Sequence, residues 1–265
     1  GWPDLFTLDM LPDDNERQKL MNIAMNYDRY LLSLHRGYLP QFSRNTMQLN
    51  NGVFNDELIP FSEIGQMAEV YETDWSWSAL FADYDNDGVK DLLVTNGIPK
   101  DITNSDFIMY RDAQVYKGDY NYDSLKRILL EKVDALQGVD KSNFIFRNNG
   151  DLTFSNTTNN WGLQHPSFSN GAAYGDLDQD GDLDLLVNNI NGEAFLFRNE
   201  ASSQISFNYL QLEFSGPTGN LTGIGTRVTI YHGDQIQHYY HQPFRGFQST
   251  MEQKLHVGLG KDSIV

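Results

Sequence analysis

Two stretches of the chain, FADYDNDGVKDLLV at 81–94 and YGDLDQDGDLDLLV at 174–187, share one pattern: an acidic polar loop, then an apolar run without alternation. Such a run predicts a buried strand, and in the first copy it leads to Asn96-Gly97, a hairpin signal. Other segments alternate. NTMQLNNG at 45–52 and NFIFRNNG at 143–150 place alternating apolar residues before Asn-Gly, with Phe54 and Phe154 following, and FLFRNE at 195–200 is a shorter relative. Asn-Gly recurs at Asn51, Asn96, Asn149, Asn170 and Asn191, which predicts many short antiparallel strands and hence a sandwich, barrel or propeller. Toward the C-terminus Leu210, Leu212 and Phe214, then Val228 and Ile230, alternate around Gly-rich turns, as in a small β-domain. Trp75 and Trp77 alternate as in a strand.

Helical spacing occupies three stretches. One runs from Asp13, read as the N-cap, to Leu34 and stops at Gly37; another runs from Thr103 to Tyr116. The third, from Asp123 to Leu136, puts Leu125, Ile128, Leu129, Val133 and Leu136 on one face. The last two fall between Val94 and Asn143, where a simple β-repeat would turn in a few residues. These are therefore read as decorations that pack on the scaffold or meet a partner.

Composition narrows the function. The 265 residues are 40% apolar and 13% aromatic, enough for a packed core. A net charge of −17 argues against a nucleic-acid backbone or an anionic membrane surface as partner and makes divalent cations the natural counter-charge. No window approaches the roughly 18 to 20 apolar residues of a membrane span. With no cysteine, disulfides, thiolate catalysis and thiolate-ligated metal sites are excluded.

The acidic loops are D-x-D-x-D-G-x-x-D in both copies: Asp83, Asp85, Asp87, Gly88 and Asp91 align with Asp176, Asp178, Asp180, Gly181 and Asp184. Carboxylates at positions 1, 3 and 5 of a tight loop can converge on one hard cation. Glycine at position 6 allows the turn that adds the backbone carbonyl of position 7, here Val89 or Asp182, and the carboxylate of position 9. Oxygen-only ligands favour Ca2+ over zinc or copper, and magnesium demands a stricter octahedron. An EF-hand is excluded, because its closing Glu would fall on Val94 and Val187 and a strand follows where a helix is required. Repetition with identical spacing weighs against an ordinary acidic turn.

The opening GWPDLFT fits the same register, with Gly1 at position 6, Asp4 at position 9 and Leu5-Phe6-Thr7 as the following strand. On this reading the chain starts inside a third loop of a longer repeat protein, and Asp4 is a calcium ligand whose companions lie upstream.

These residues resemble the FG-GAP or VCBS repeat of integrin-α-like β-propellers over roughly residues 1–199, and the resemblance implies calcium bound between strands of a blade. LDMLPDDNERQKL, MNYDRY, RNTMQLNNG and TDWSWSALFADYDNDGVKDLLVTNG resemble large exported repeat proteins of Bacteroidetes-type bacteria, and the cartilage acidic protein family has the same organisation. The segment at 208–265 resembles the ASPIC/UnbV module that follows such propellers, through Asn220, Gly223-Ile224-Gly225, Arg227-Val228, Gly246-Phe247, Ser249 and Leu255 to Gly260. Residues 262–265 read as the start of a last strand, so the module is expected to be cut there. The implied architecture is a partial β-propeller at 1–200, with helical decorations at about 13–37 and 101–138, and a small β-domain at 205–265.

No nucleophile elbow, P-loop, dinucleotide fingerprint or zinc-protease helix is present. His238 and His241 are read as surface residues, the Gly223-Ile224-Gly225 segment as a β-turn, and Asp13-Asp14 as a helix cap. The expectation is a non-catalytic, extracytoplasmic, calcium-binding scaffold with a protein or glycan as ligand. The alternative is part of a polysaccharide-processing enzyme built on a calcium-bearing propeller.

Overall fold

The computed structural model describes residues 2–21, 27–54, 57–58, 61–118 and 121–265. Three small antiparallel sheets come first. β1 (Leu5–Thr7) is followed by helices α1 (Asn15–Leu20) and α2 (Tyr27–His35) and pairs with β2 (Thr46–Leu49). After the short hairpin β3 (Val53–Phe54) and β4 (Glu57–Leu58), β5 (Ser62–Glu63) closes the other edge of β2. The second sheet has the order β6 (Ser76–Ala82), β7 (Asp91–Asn96), β8 (Phe144–Asn148), β9 (Phe154–Asn156), with α3 (Ser105–Lys117) and α4 (Tyr122–Ala135) inserted between β7 and β8. The third is β10 (Ser169–Gly175), β11 (Asp184–Asn189), β12 (Phe195–Phe197). After α5 (Ala201–Gln204), the C-terminal module pairs β13 (Asn208–Leu212) with β16 (Leu255–Gly260) and β14 (Arg227–His232) with β15 (Gln235–Tyr240). The fold is mainly β and its sheets suit propeller blades.

The repeat is exact in register. Leu92 pairs with Phe146, Leu185 with Phe197 and Leu5 with Gln48, so the residue after each position-9 aspartate meets the same place in the next strand. Three backbone N–H groups follow suit: Asn148 donates to Asp91 Oδ1 at 2.9 Å, Asn199 to Asp184 Oδ1 at 2.9 Å and Asn50 to Asp4 Oδ1 at 2.8 Å. Asp4 thus stands where the opening of the sequence puts it, while Gly1 lies outside the described residues.

The unalternating apolar run of the first copy is explained by sheets stacked face to face, whereas in the second copy Leu186 stays exposed, because its sheet is covered on one face among the described residues. Leu92 and Val94 join a core with Met47, Val70 and Phe146, and Leu93 joins another with Leu80, Ile145, Leu185 and Val187. All of β7 is buried. A separate core of Ile230, Tyr239, Leu255, Val257 and Leu259 holds the C-terminal module together.

The helical stretch expected from Asp13 to Leu34 is corrected. Asp14, not Asp13, caps α1 by accepting the Arg17 N–H at 2.7 Å. The helix ends at Leu20, because Met21 is extended, buried and bridged to Asn104; residues 22–26 lie outside the described set. The other two helices hold, one residue or two displaced: Asn104 and Asn121 supply their caps and Gly118, at φ 67°, ends the first. Three Asn-Gly pairs are not hairpin turns. Asn51-Gly52 separates β2 from β3, which pair with β5 and β4 and not with each other. Asn170-Gly171 sits inside β10 at an irregularity between Ser169 and Ala172, and Gly97 leaves β7 toward the helical insertion. Gly97 is required there: at φ 129°, a Cβ would stand 2.4 Å from the Ser167 carbonyl oxygen.

Candidate metal centres

Both loops fold by bonding their carboxylates to their own amides. Asp83 accepts from Asp87 N on Oδ1 and from Gly88 N on Oδ2, at 3.1 and 2.9 Å, and Asp87 Oδ1 accepts from Val89 N at 3.0 Å. Asp176 Oδ2 accepts from Gly181 N at 3.2 Å, and Asp180 Oδ1 from Asp182 N at 3.0 Å. Gly88 and Gly181 lie at φ 97° and 93°, and position 4 is also left-handed in both, with Asn86 at 61° and Gln179 at 63°. The geometry brings Asp83, Asp85 and Asp87 together, and separately Asp176, Asp178 and Asp180; within each group carboxylate oxygens lie within 4.8 Å of one another.

Asp91 and Asp184 stand beside these triads in a stapling role. Each accepts one N–H from the start of its loop, Tyr84 or Leu177 at 3.1 Å, and one from the next strand. A carboxylate has about four lone-pair sites, so these bonds leave acceptor capacity. Asp182 uses its side chain elsewhere, accepting from Ser202 N at 2.7 Å and Asn86 Nδ2 at 3.1 Å.

Packing carboxylates this closely is costly. Burial, helped by Asp87 and Asp85, pushes Asp83 up to about 8, and burial also pushes Asp91 up to about 8. Burial raises Asp87 and Asp182 as well. Arginines supply part of the missing positive charge. Arg147 Nε donates to Asp85 Oδ2 at 2.7 Å and its Nη2 to Asp87 Oδ2 at 2.6 Å; Arg198 lies 2.9 Å from Asp178 and 3.4 Å from Asp180. Sequence reasoning missed this pair, although the signal was present in the shared F-x-F-R-N of 144–148 and 195–199.

The residues fit a hard cation. Asp176 Oδ1 is buried and has no hydrogen-bond partner among the described residues, so a carboxylate oxygen in the second triad is left without a donor there. Oxygen donors alone, with the left-handed turn at position 6, suit Ca2+. A third group, Asp13, Asp14 and Asp74, is already served by side-chain cations: Lys141 binds Asp13 and Asp14 at 2.8 and 3.0 Å, and Arg17 binds Asp74 at 2.6 Å.

The C-terminal module closes over both loops, a contact that no motif announced. Gln211 Nε2 donates to Asp176 Oδ2 at 2.6 Å, and Tyr209 packs so closely on Gly181 that a Cβ there would meet its ring at 1.9 Å. On the first loop, His256 Nε2 lies 2.6 Å from Asn86 Oδ1, Gly260 N donates to Asn86 O at 2.9 Å, and a Cβ on Gly258 would stand 2.0 Å from Asp83 Oδ2. Asn86 Nδ2 joins the loops by donating to Gly181 O and Asp182 Oδ1, both at 3.1 Å.

One of the two histidines departs from expectation. His238 is exposed and bonded to Thr229, but His241 is buried against Phe214, with ring centroids 4.5 Å apart, because just past the end of β15 it continues the inward alternation of Gln237 and Tyr239. Burial lowers its pKa, and pushes that of His256 down to about 4. The Gly223-Ile224-Gly225 segment is a turn, fixed by Asn220 Oδ1 accepting from Ile224 N at 2.9 Å.

Residues 131–187 match the family model described as FG-GAP-like repeat, which takes in the second acidic loop, and residues 216–265 match the model described as ASPIC and UnbV. No curated protein matches the chain. The first loop shares the second's spacing, register and internal hydrogen bonds. The chain thus carries a stretch similar to an FG-GAP-like repeat, followed by one similar to the ASPIC and UnbV module.

Proposed function

We propose that the chain is a calcium-binding repeat scaffold of an extracellular or cell-surface protein, acting as a non-catalytic binding or adhesion module for a protein or glycan. The observation that carries the calcium half is the buried, unpartnered Asp176 Oδ1 inside one of two matching carboxylate triads. Asp83, Asp85, Asp87, Asp91 and the Val89 carbonyl would hold one ion, and Asp176, Asp178, Asp180, Asp184 and the Asp182 carbonyl the other. A bound ion supplies positive charge that lets the clustered carboxylates ionise together, and the chain's own residues fix the loops against the next strand and the C-terminal module.

An extracytoplasmic setting and a partner outside the cell are supported by the repeat and module types matched. Among the described residues, no helix is long and apolar enough to cross a membrane. Calorimetric titration of Ca2+ into chelator-treated protein tests the reading. Two binding events are expected, one lost in Asp85→Ala and the other in Asp178→Ala, each binding event raising the melting temperature by linkage. Absence of heat and of any thermal shift would reduce both loops to solvated turns.

A further inference from the structure

A cavity of ≈ 40 Å³ lies where the C-terminal module meets the second and third sheets, and Lys90, Tyr174, Tyr239, His241, Arg245 and His256 are among its walls. That is room for about three waters, or for the heavy atoms of one carboxylate. Two cations that border it, Lys90 and Arg245, form no ion pair among the described residues, although Asp83 acts on Lys90 through space and Arg245 is hydrogen-bonded to Tyr174. Lys90 Nζ lies 4.4 Å from the Tyr239 ring centroid, and Arg245 directs Nε and Nη2 to the carbonyls of Gln242 and Tyr240, at 2.8 and 3.0 Å. Of the acidic walls, Asp83 bonds its own loop and offsets part of the Lys90 charge, and Glu252 accepts from Asp176 N at 3.1 Å and faces Lys254 at 3.5 Å, so the two cations are not fully neutralised. Half-buried cations in this arrangement favour an anion.

Two of the lining residues also carry bare acceptors. Asn86 donates through Nδ2 to Gly181 and Asp182, so its Oδ1 must accept from His256 Nε2. A neutral ring that donates from Nε2 keeps a lone pair on Nδ1, and His256 Nδ1 is buried without a partner. His241 is only 3% exposed and is bonded to the Thr222 backbone, yet its Nε2 is likewise buried and unpartnered. Unmet polar atoms of this kind, on two residues that line one cavity, call for a ligand that donates.

We propose that this cavity is a binding site for a hydroxycarboxylate, such as the acid edge of a uronic acid, with the carboxylate on Lys90 and Arg245 and a neighbouring hydroxyl donating to His241 or His256. The proposal rests on the binding-module reading above and gives that module's ligand a chemical class. It places the site at the seam between the modules, beside the first acidic loop, where neither motif alone would locate it.

The test is ligand-observed NMR on the calcium-loaded chain with D-galacturonate, glycolate and D-galactose as probes, calcium binding being measured first in the same preparation. Both acids should bind and galactose should not. Tighter binding of galacturonate than of glycolate assigns the site to sugar acids, and equal binding assigns it to small hydroxy acids. Arg245→Met should weaken acid binding about tenfold or more, with calcium stoichiometry unchanged, and Lys90→Met serves if that variant does not fold. No binding of either acid at about 10 mM, equal binding of galactose, or unaltered affinity in the folded variants would overturn the proposal and leave the cavity to water. Acid binding that persists in a chain unable to hold calcium would instead remove the scaffold reading while sparing this one.

Discussion

The two repeat copies at 81–94 and 174–187 carry the same motif in different surroundings. Around the first, Leu93 is 0% exposed and Asp85 5%, while at the matching place in the second Leu186 is 46% exposed and Asp178 lies open. The reason lies in the neighbours: the second sheet is packed on both faces, whereas the third, among the described residues, is covered on one. Arg147 grips its two aspartates at 2.7 and 2.6 Å, but Arg198 reaches its pair at 2.9 and 3.4 Å. The motif specifies the loop's internal bonds, and the packing partners specify how firmly the loop is held.

The largest expected effect separates the strands. Leu93→Ala should destabilise by about 2–5 kcal/mol, as for a large-to-small change in a closed core, whereas Leu186→Ala should stay within about 0.5 kcal/mol. Denaturant unfolding of the two variants measures both, and similar losses would mean that the second copy is covered in solution.

The arginines give a smaller contrast. In calcium-free protein Arg147→Ala should cost about 1–2 kcal/mol, because it strips the counter-charge from a buried Asp85, while Arg198→Ala should leave the melting temperature unchanged. Saturating calcium should narrow the gap, since an ion takes over the neutralisation. A gap that persists in calcium would assign Arg147 a packing role alone.

The smallest effect concerns the seam between modules. Gln211→Ala should weaken calcium at the second loop about tenfold, the range for a residue that orients a ligand from behind, without altering the first. Gln211→Asn, too short to reach Asp176, should behave the same way. Equal weakening at both loops would place Gln211 in general module docking and not in support of Asp176.

How much of this was legible in the sequence follows from which interactions are local. D-x-D-x-D-G-x-x-D dictates its own amide bonds within nine residues, so the triads, the glycine turns and the following strands could be read directly, down to the register of Asp4. The helix caps shifted by a residue or two because Asn104, Asn121 and Asp14 compete with equally polar neighbours. What could not be read is long-range: Gln211 on Asp176, His256 on Asn86, and the burial of His241. In each of these, partners many residues apart meet only because sheets and module pack together. The same limit explains why identical Leu-Leu-Val runs in two copies end up with different exposure.

The central claim is that both triads are ion sites, and anomalous diffraction from crystals grown with Ca2+ or soaked in Tb3+ tests it most directly. The account predicts two peaks, one among Asp83, Asp85 and Asp87 and one among Asp176, Asp178 and Asp180. Loops without peaks, with Arg147 and Arg198 still the only cations on their aspartates at saturating metal, would contradict it.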